Sequence, residues 1–420
     1  MQDYLEKTFG LYETNNKFFF KKVDAVLESS KTGSDVAWHY NDKIFPSLDW
    51  KNEPTESLDV LYRKRAQQIR DEYDYVIIMA SGGADSTNVL YSFLDNNIHI
   101  DEIIASAPIT GLEKFNLIEH NISAENTVAE TILAQMPLLK TISHLYPNIK
   151  ITINDYFDTL LNYKDESWLS MGSLWLHPSA ARHDLSNLPH IRKLAESGKK
   201  IAKVYGIDKP ILARGVSGKF YNCIFDGSIQ VANHSSLNGM IDTITPVLFY
   251  ITPDMPEVMI KQAHNLARWM HSDPGLYAKY SRMTLLDKAS PESWRTNPKR
   301  YGTHHRAIIS GIYPRLNDFK IWQAFKSTIT NGLDPMEIVF DKWMTSLYRD
   351  EIVIEKLNSD IKNMFGSSPT DWFTKTQSLC LKYYEIGHES QFAGDPSFLD
   401  RSFDYSFELK EAIDYVYATS

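Results

Sequence analysis

The chain has 420 residues, 43% of them hydrophobic and 23% charged, with a formal net charge of -9. That length exceeds one typical domain, and the balance is that of an ordinary globular protein rather than a disordered or fibrous one. The acidic excess argues against a surface that coats nucleic acid, although a local basic groove is compatible with it.

Two cysteines, Cys223 and Cys380, stand far apart and in no CxxC arrangement. They give no support to a disulfide framework, a structural zinc site or an iron–sulfur cluster, and a reducing compartment is the natural expectation. No charged-then-apolar leader follows Met1 and no apolar run is long enough to span a bilayer; the expected location is cytoplasmic, with no membrane partner.

Taken in chain order, residues 1–70 read as an N-terminal extension packed on a core. They combine an aromatic-basic patch, Lys17-Phe18-Phe19-Phe20-Lys21-Lys22, with a helix-like run over 57–72. Residues 76–80 form a short apolar run with β-branched members, the pattern of a strand covered on both faces. Helical spacing follows over 87–96, with Val89, Leu90, Phe93 and Leu94 on one side. A second strand is expected over 101–107, an amphipathic helix over 125–145, a third strand over 149–154, a helix over 191–205 and a fourth strand over 210–213. Strands alternating with helices at this spacing predict an α/β unit, a parallel sheet with helices on both faces, over about 71–250. From residue 251 to 420 helical periodicity dominates, as in Met259, Ala263, Leu266, Ala267 and Met270, so a mainly helical substrate or accessory domain is expected there, with the boundary near 245–256.

The most informative stretch joins the first of these strands to its helix: Ser81-Gly82-Gly83-Ala84-Asp85-Ser86-Thr87. Gly82 and Gly83 can take backbone angles closed to other residues and have no side chain to block a ligand, so main-chain N–H groups can line a concavity. The helix dipole adds partial positive charge at the same place. Ser81, Ser86 and Thr87 offer hydroxyls to anionic oxygens. Asp85 would repel a bare phosphate but suits a magnesium ion that accompanies one, so the pattern points to a magnesium nucleotide. No Gly-x-x-x-x-Gly-Lys-Ser/Thr occurs, which removes a Walker A loop.

Residues 81–86 resemble the SGGxDS loop of the PP-loop, or N-type, ATP pyrophosphatase superfamily, which includes asparagine, argininosuccinate, GMP and NAD synthetases and several tRNA-modifying enzymes. The resemblance covers about residues 70–225 and implies an adenine-nucleotide alpha hydrolase-like (HUP) core, ATP and Mg2+ as cofactors, and release of AMP and pyrophosphate. It implies that Asp85 is a catalytic metal ligand and that Ser81, Gly82, Gly83, Ser86 and Thr87 bind the nucleotide. Family members tend to hold adenine where Ser106 and Ala107 stand here, at the end of the second strand, although small residues there also suit a plain turn.

In parallel sheets the ligand crevice lies beyond the C-terminal strand ends. The loop Arg214-Gly215-Val216-Ser217-Gly218-Lys219, expected to follow the fourth strand, should therefore open onto the same crevice, with Gly215, Ser217 and Gly218 near the nucleotide. Lys219 is placed to neutralise pyrophosphate and Arg214 the α-phosphate, with solvated turn charges as the alternative. Asp155 and Asp226 are candidate second magnesium ligands, or caps. The cluster 175–184, with His183 as a candidate proton acceptor, suits a lid or a packing role, and the basic patch 299–306 an acidic substrate, a phosphate or a solvated face.

The chain departs from several relatives. Gln2 stands where glutamine-dependent synthetases carry a catalytic cysteine, the cysteine pairs of sulfur-transfer relatives are absent, and no GDGGDE-like second motif occurs. An asparagine-synthetase-like core without the glutaminase domain remains. The expectation is an ATP-dependent ligase or amidating enzyme that adenylates a carboxyl or carbonyl oxygen for displacement by an amine or ammonia. Two alternatives stand beside it, modification of a base in a nucleotide or nucleic acid and a non-catalytic nucleotide-binding protein. Nucleic acid is open as a partner but has no support in the sequence.

Overall fold

The computed structural model describes residues 10–20, 22–107, 135–155, 185, 188–207, 210–214, 217–226, 229, 244–272 and 381–392. Its centre is a five-stranded parallel sheet built from β4 (Tyr75–Met79), β5 (Glu102–Ala107), β6 (Lys150–Asp155), β7 (Ile201–Tyr205) and β10 (Ile244–Leu248), in the order β10-β7-β4-β5-β6. Val76, Ile77 and Ile78 have no exposed surface, as their continuous apolar run requires of a strand covered on both faces. The chain steps outward from β4 through β5 to β6, then returns to the other side of β4 for β7 and β10. The strand order therefore reverses between β4 and β7.

Helix α2 (Leu58–Glu72) is capped by Ser57, whose hydroxyl accepts from the Val60 N–H, and α3 (Ala84–Leu94) packs against it. Tyr62, Ala66 and Ile69 of α2 and Val89, Leu90 and Phe93 of α3 are buried at helical spacing in the common core. Helix α4 (Met136–Leu145) coincides with the last part of the helix expected over 125–145; residues 108–134 lie outside the described ones.

Two expectations are corrected. Residues 191–205 are not one helix: α5 (Pro189–Glu196) ends at Gly198, whose φ of +79° stops it, and Ile201–Tyr205 is β7, second in the sheet from its β10 edge. Lys203 interrupts the apolar run that would have marked this strand, yet it is fully buried, with its ammonium 5.3 Å from the Tyr205 ring centroid. Nor is 210–213 the fourth parallel strand. β8 (Ile211–Arg214) pairs antiparallel with β9 (Lys219–Phe225), and β9 with β11 (Leu381–His388), as a separate three-stranded sheet. β11 lies in the stretch expected to be mainly helical; apart from it and α6 (Pro256–Ser272), 273–380 and 393–420 lie outside the described residues. β10 was not anticipated, because Pro246 breaks the strand pattern. Among the described strands β10 is at a sheet edge, where a proline is tolerated because its missing N–H can face away from the neighbouring strand.

The N-terminal residues form a small antiparallel sheet, β2-β1-β3, from β1 (Leu11–Thr14), β2 (Lys17–Phe19) and β3 (Ala37–His39), with α1 (Lys22–Thr32) packed on β1. It is joined to the end of β9 by a buried ion pair, Lys22 to Asp226 at 2.5 Å, to which the Tyr12 hydroxyl donates at 2.9 Å. Asp226, a candidate magnesium ligand in the sequence, has this structural partner instead.

Helix α6 packs on α2, and Glu53 fastens it to the N-terminal region by accepting from Lys261 at 2.6 Å and from both terminal nitrogens of Arg268. Burial works to raise the Glu53 carboxyl, but Arg268 and Lys261 outweigh it and hold the group at about 2. A depressed carboxyl contributes stability that is complete above its ordinary value of 4.5 and is lost as the pH falls toward 2. Wild type and Glu53→Gln should thus differ in thermal midpoint at neutral pH and converge in acid; a gap that stays constant over that range would contradict the pairing.

Candidate functional site

The order reversal beside β4 places the turn Ala80–Gly83 at the C-terminal end of an interior strand, at the position where open parallel sheets form a crevice. Gly82 has φ of +80°, a conformation that side chains disfavour. Gly83 is the N-cap of α3 and supplies no side-chain cap, so the N–H groups of Ala84, Asp85 and Ser86 have no helical acceptor; the first helical bond is Thr87 N–H to the Gly83 carbonyl at 3.0 Å.

Serines hold the turn in shape. The Ser86 hydroxyl donates to the Gly83 carbonyl at 3.2 Å and accepts from the Ser81 N–H at 3.2 Å, and the Ser81 hydroxyl accepts from the Gly83 N–H at 3.2 Å. The two hydroxyl oxygens are 3.1 Å apart. Thr87 is buried, and its hydroxyl has no hydrogen-bond partner among the described residues. Asp85 is partly exposed in the first helical turn. Its charge there opposes the positive end of the helix dipole favourably.

Three groups absent from the sequence reading fix this turn from outside. The Tyr250 hydroxyl, from the segment after β10, donates to the Asp85 carbonyl at 2.9 Å and accepts from Asn88 Nδ2 at 2.9 Å. Gln135, buried before α4, donates through Nε2 to the carbonyls of Ala80 at 2.8 Å and Ser106 at 3.4 Å, bridging the ends of β4 and β5. Gly206 follows β7, and a Cβ built there would lie 2.6 Å from the Asp85 carbonyl oxygen and 2.8 Å from the Ser86 nitrogen. A glycine directly after a strand is a recognisable signal, but it was hidden by reading 191–205 as helix.

Ser106 and Ala107 end β5, both buried, with Asn154 Nδ2 donating to the Ser106 hydroxyl at 3.4 Å. Asp155 ends β6 beside Ala107. These residues share the strand-end side of the sheet with the turn. The loop 214–219 does not follow a strand of the parallel sheet. It connects β8 and β9 in the antiparallel sheet, and Gly218, with φ of +78°, bonds through its carbonyl to the Glu389 N–H at 2.9 Å. Lys219 Nζ is 2.8 Å from Glu385, whose carboxylate hydrogen-bonds to it and raises its pKa; Lys51 meets the same carboxylate at 2.8 Å. Ser217 is exposed, Gly215 lies outside the described residues, as do 175–184 with His183 and 299–306, and the Arg214 side chain is likewise not described.

Among the described residues no group of three or more His, Cys, Asp or Glu is arranged to hold a metal ion, and no helix is long and apolar enough to cross a membrane.

The contact at Gly206 is backbone on backbone, so a Gly206→Ala methyl has no flexible side chain to push aside. The expected loss of stability is about 1 to 3 kcal/mol, the usual cost of overpacking. Denaturant unfolding measures it, and a variant as stable as wild type would show that the first turn of α3 is free to move. No protein-family model, curated protein or solved structure matches this chain.

Proposed function

We propose that the chain is an ATP-dependent enzyme that adenylates a carboxyl or carbonyl oxygen and passes the activated group to an amine or ammonia. The observation that carries this reading is the uncapped, glycine-formed start of α3 at the strand-order reversal: main-chain donors, a helix dipole and one carboxylate converge there without a blocking side chain. The N–H groups of Ala84, Asp85 and Ser86 would hold phosphate oxygens. The Asp85 carboxylate would hold magnesium, an ion that characteristically takes one or two protein carboxylates and completes its shell with water and phosphate. This donor set fits the ion, since a cage of several carboxylates is not needed.

ATP bound there supplies AMP to the substrate oxygen and pyrophosphate as leaving group. The protein's part is positional. A turn fixed by Tyr250, Gln135 and the Gly206 contact presents its donors without reorganising, which is the condition for electrostatic stabilisation of charge that develops on phosphate. Lys219 takes no part in this proposal, because Glu385 holds its ammonium in another sheet.

The test is chromatographic. Purified protein with Mg2+, ATP, ammonium and a panel of carboxylic acids should yield AMP and pyrophosphate in equal amounts, and Asp85→Ala should lower that rate by about 100-fold or more while leaving the fold intact. Formation of ADP and phosphate would overturn the reading. ATP binding with no AMP formed across the panel would favour a nucleotide-binding protein.

A further inference from the structure

Beyond the outer edge of β10 lies a cleft of about 250 Å3 that the nucleotide reading does not use. Helix α2 forms one wall, and β10 with the segment 251–254 forms the other. Arg65, Glu72, Tyr73, Thr252 and Asp254 are among the residues that line it.

Arg65 is the unusual member. It is only 2% exposed, yet its close partners are all neutral: Nη1 donates to Gln68 Oε1 at 2.8 Å, and Nη2 to the Leu248 carbonyl at 3.0 Å and the Thr252 hydroxyl at 3.5 Å. The Asp254 carboxylate comes no nearer than 3.8 Å, on a side chain that is 59% exposed. Among the described residues the Arg65 Nε–H has no hydrogen-bond partner. A guanidinium buried in this way is under-compensated, and burial accordingly lowers its pKa against the opposing pull of Asp254, Tyr73 and Glu72. With Nη2 committed to Leu248 and Thr252, the donor left for an anionic acceptor such as a carboxylate oxygen is the Nε–H.

The rim has the opposite sign. Glu72 and Asp254 are both exposed there, so the cleft runs from a buried cation to surface anions. Inorganic phosphate or a dicarboxylate reaching Arg65 would meet two acids on the way, and a simple amine attracted by those acids would find no anion at the end. A molecule carrying both charges satisfies the whole cleft. We propose that this cleft is a binding site for a small zwitterion of the α-amino-acid kind, its carboxylate on Arg65 and its ammonium toward Asp254 and Glu72. The site is separate from the turn at Ser81 and does not depend on the nucleotide reading.

The experiment needs no ATP. Each of the twenty free amino acids is added to the full chain, with calorimetry for affinity and the 15N-resolved Arg65 Nε–H signal for location. At least one amino acid should bind and shift that signal. Its methyl ester and its N-acetyl form should each bind about tenfold more weakly, since each removes one of the two charges. Asp254→Asn keeps the oxygen that accepts from Thr252 and sits on an exposed side chain, so it should fold normally and bind several-fold more weakly; Arg65→Gln, checked for folding by circular dichroism, should not bind. The proposal fails if no amino acid moves the Arg65 signal, if the ester or acetyl form binds as well as the free amino acid, or if Asp254→Asn binds with wild-type affinity.

Discussion

The backbone contact between Gly206 and the first turn of α3 is the constraint on which the rest of this site depends. Only four residues separate β4 from α3, so the helix must begin directly above the strand ends, and β7 is the neighbour it meets there. With a Cβ at position 206 just 2.6 Å from the Asp85 carbonyl, glycine alone lets the helix start at that height. Tyr250 then takes the Asp85 carbonyl as acceptor from the far side of β7. Three adjacent strands, β4, β7 and β10, thereby fix one turn. Tertiary contacts hold a helix end that an ordinary Ser, Thr or Asp cap would otherwise secure, and Gly83 at the N-cap supplies no side-chain cap of its own.

Buried charge is handled in three ways, and the contrast gives each its meaning. Lys22 and Asp226 neutralise one another directly at 2.5 Å and tie the N-terminal sheet to β9. Glu102, with no exposed surface, gathers the Tyr75 hydroxyl at 2.9 Å, the Thr152 hydroxyl, His190 at 2.9 Å and Lys150 at 3.3 Å, drawing β4, β5, β6 and α5 together at the end of the sheet opposite the turn. Burial and then the Glu102 charge push the Tyr75 phenol above its usual range, which keeps it a donor to that carboxylate. Both clusters are closed and structural. Arg65 has no such closure, although taking a guanidinium out of water also costs free energy.

The sequence made β4, β5, β6 and α2 legible, because each carries an uninterrupted apolar period with a clear start, such as Ser57 before α2. It failed at β7 for a physical reason. Lys203 is charged yet buried, and its long aliphatic stem and aromatic neighbour Tyr205 let it occupy an interior strand that periodicity assigns to a helix face. That error moved the fourth parallel strand onto β8 and carried the 214–219 loop with it. The turn itself was legible because glycines and hydroxyls are local signals. Tyr250 and Gln135 were not, since each acts on the turn from 55 residues or more away in the chain and nothing near them in sequence encodes the contact, while the signal at Gly206, directly after β7, was lost with that strand.

The serines of the turn gain a different role from the one their chemistry first suggests. A hydroxyl at the start of a helix reads as a donor to a bound anion, but Ser86 donates to the Gly83 carbonyl and accepts from the Ser81 N–H, while the Ser81 hydroxyl accepts from the Gly83 N–H. These bonds span two to five positions, and only a short side chain can make them across so tight a loop. They hold Gly82 at its positive φ and orient the peptide units that follow. The serine at each end of the motif is therefore a folding device. In the proposed nucleotide site the ligand would meet the main-chain N–H groups of residues 84–86 and the Asp85 carboxylate, and the pattern Ser-Gly-Gly-Ala-Asp-Ser is as much a recipe for a shape as for a set of donors.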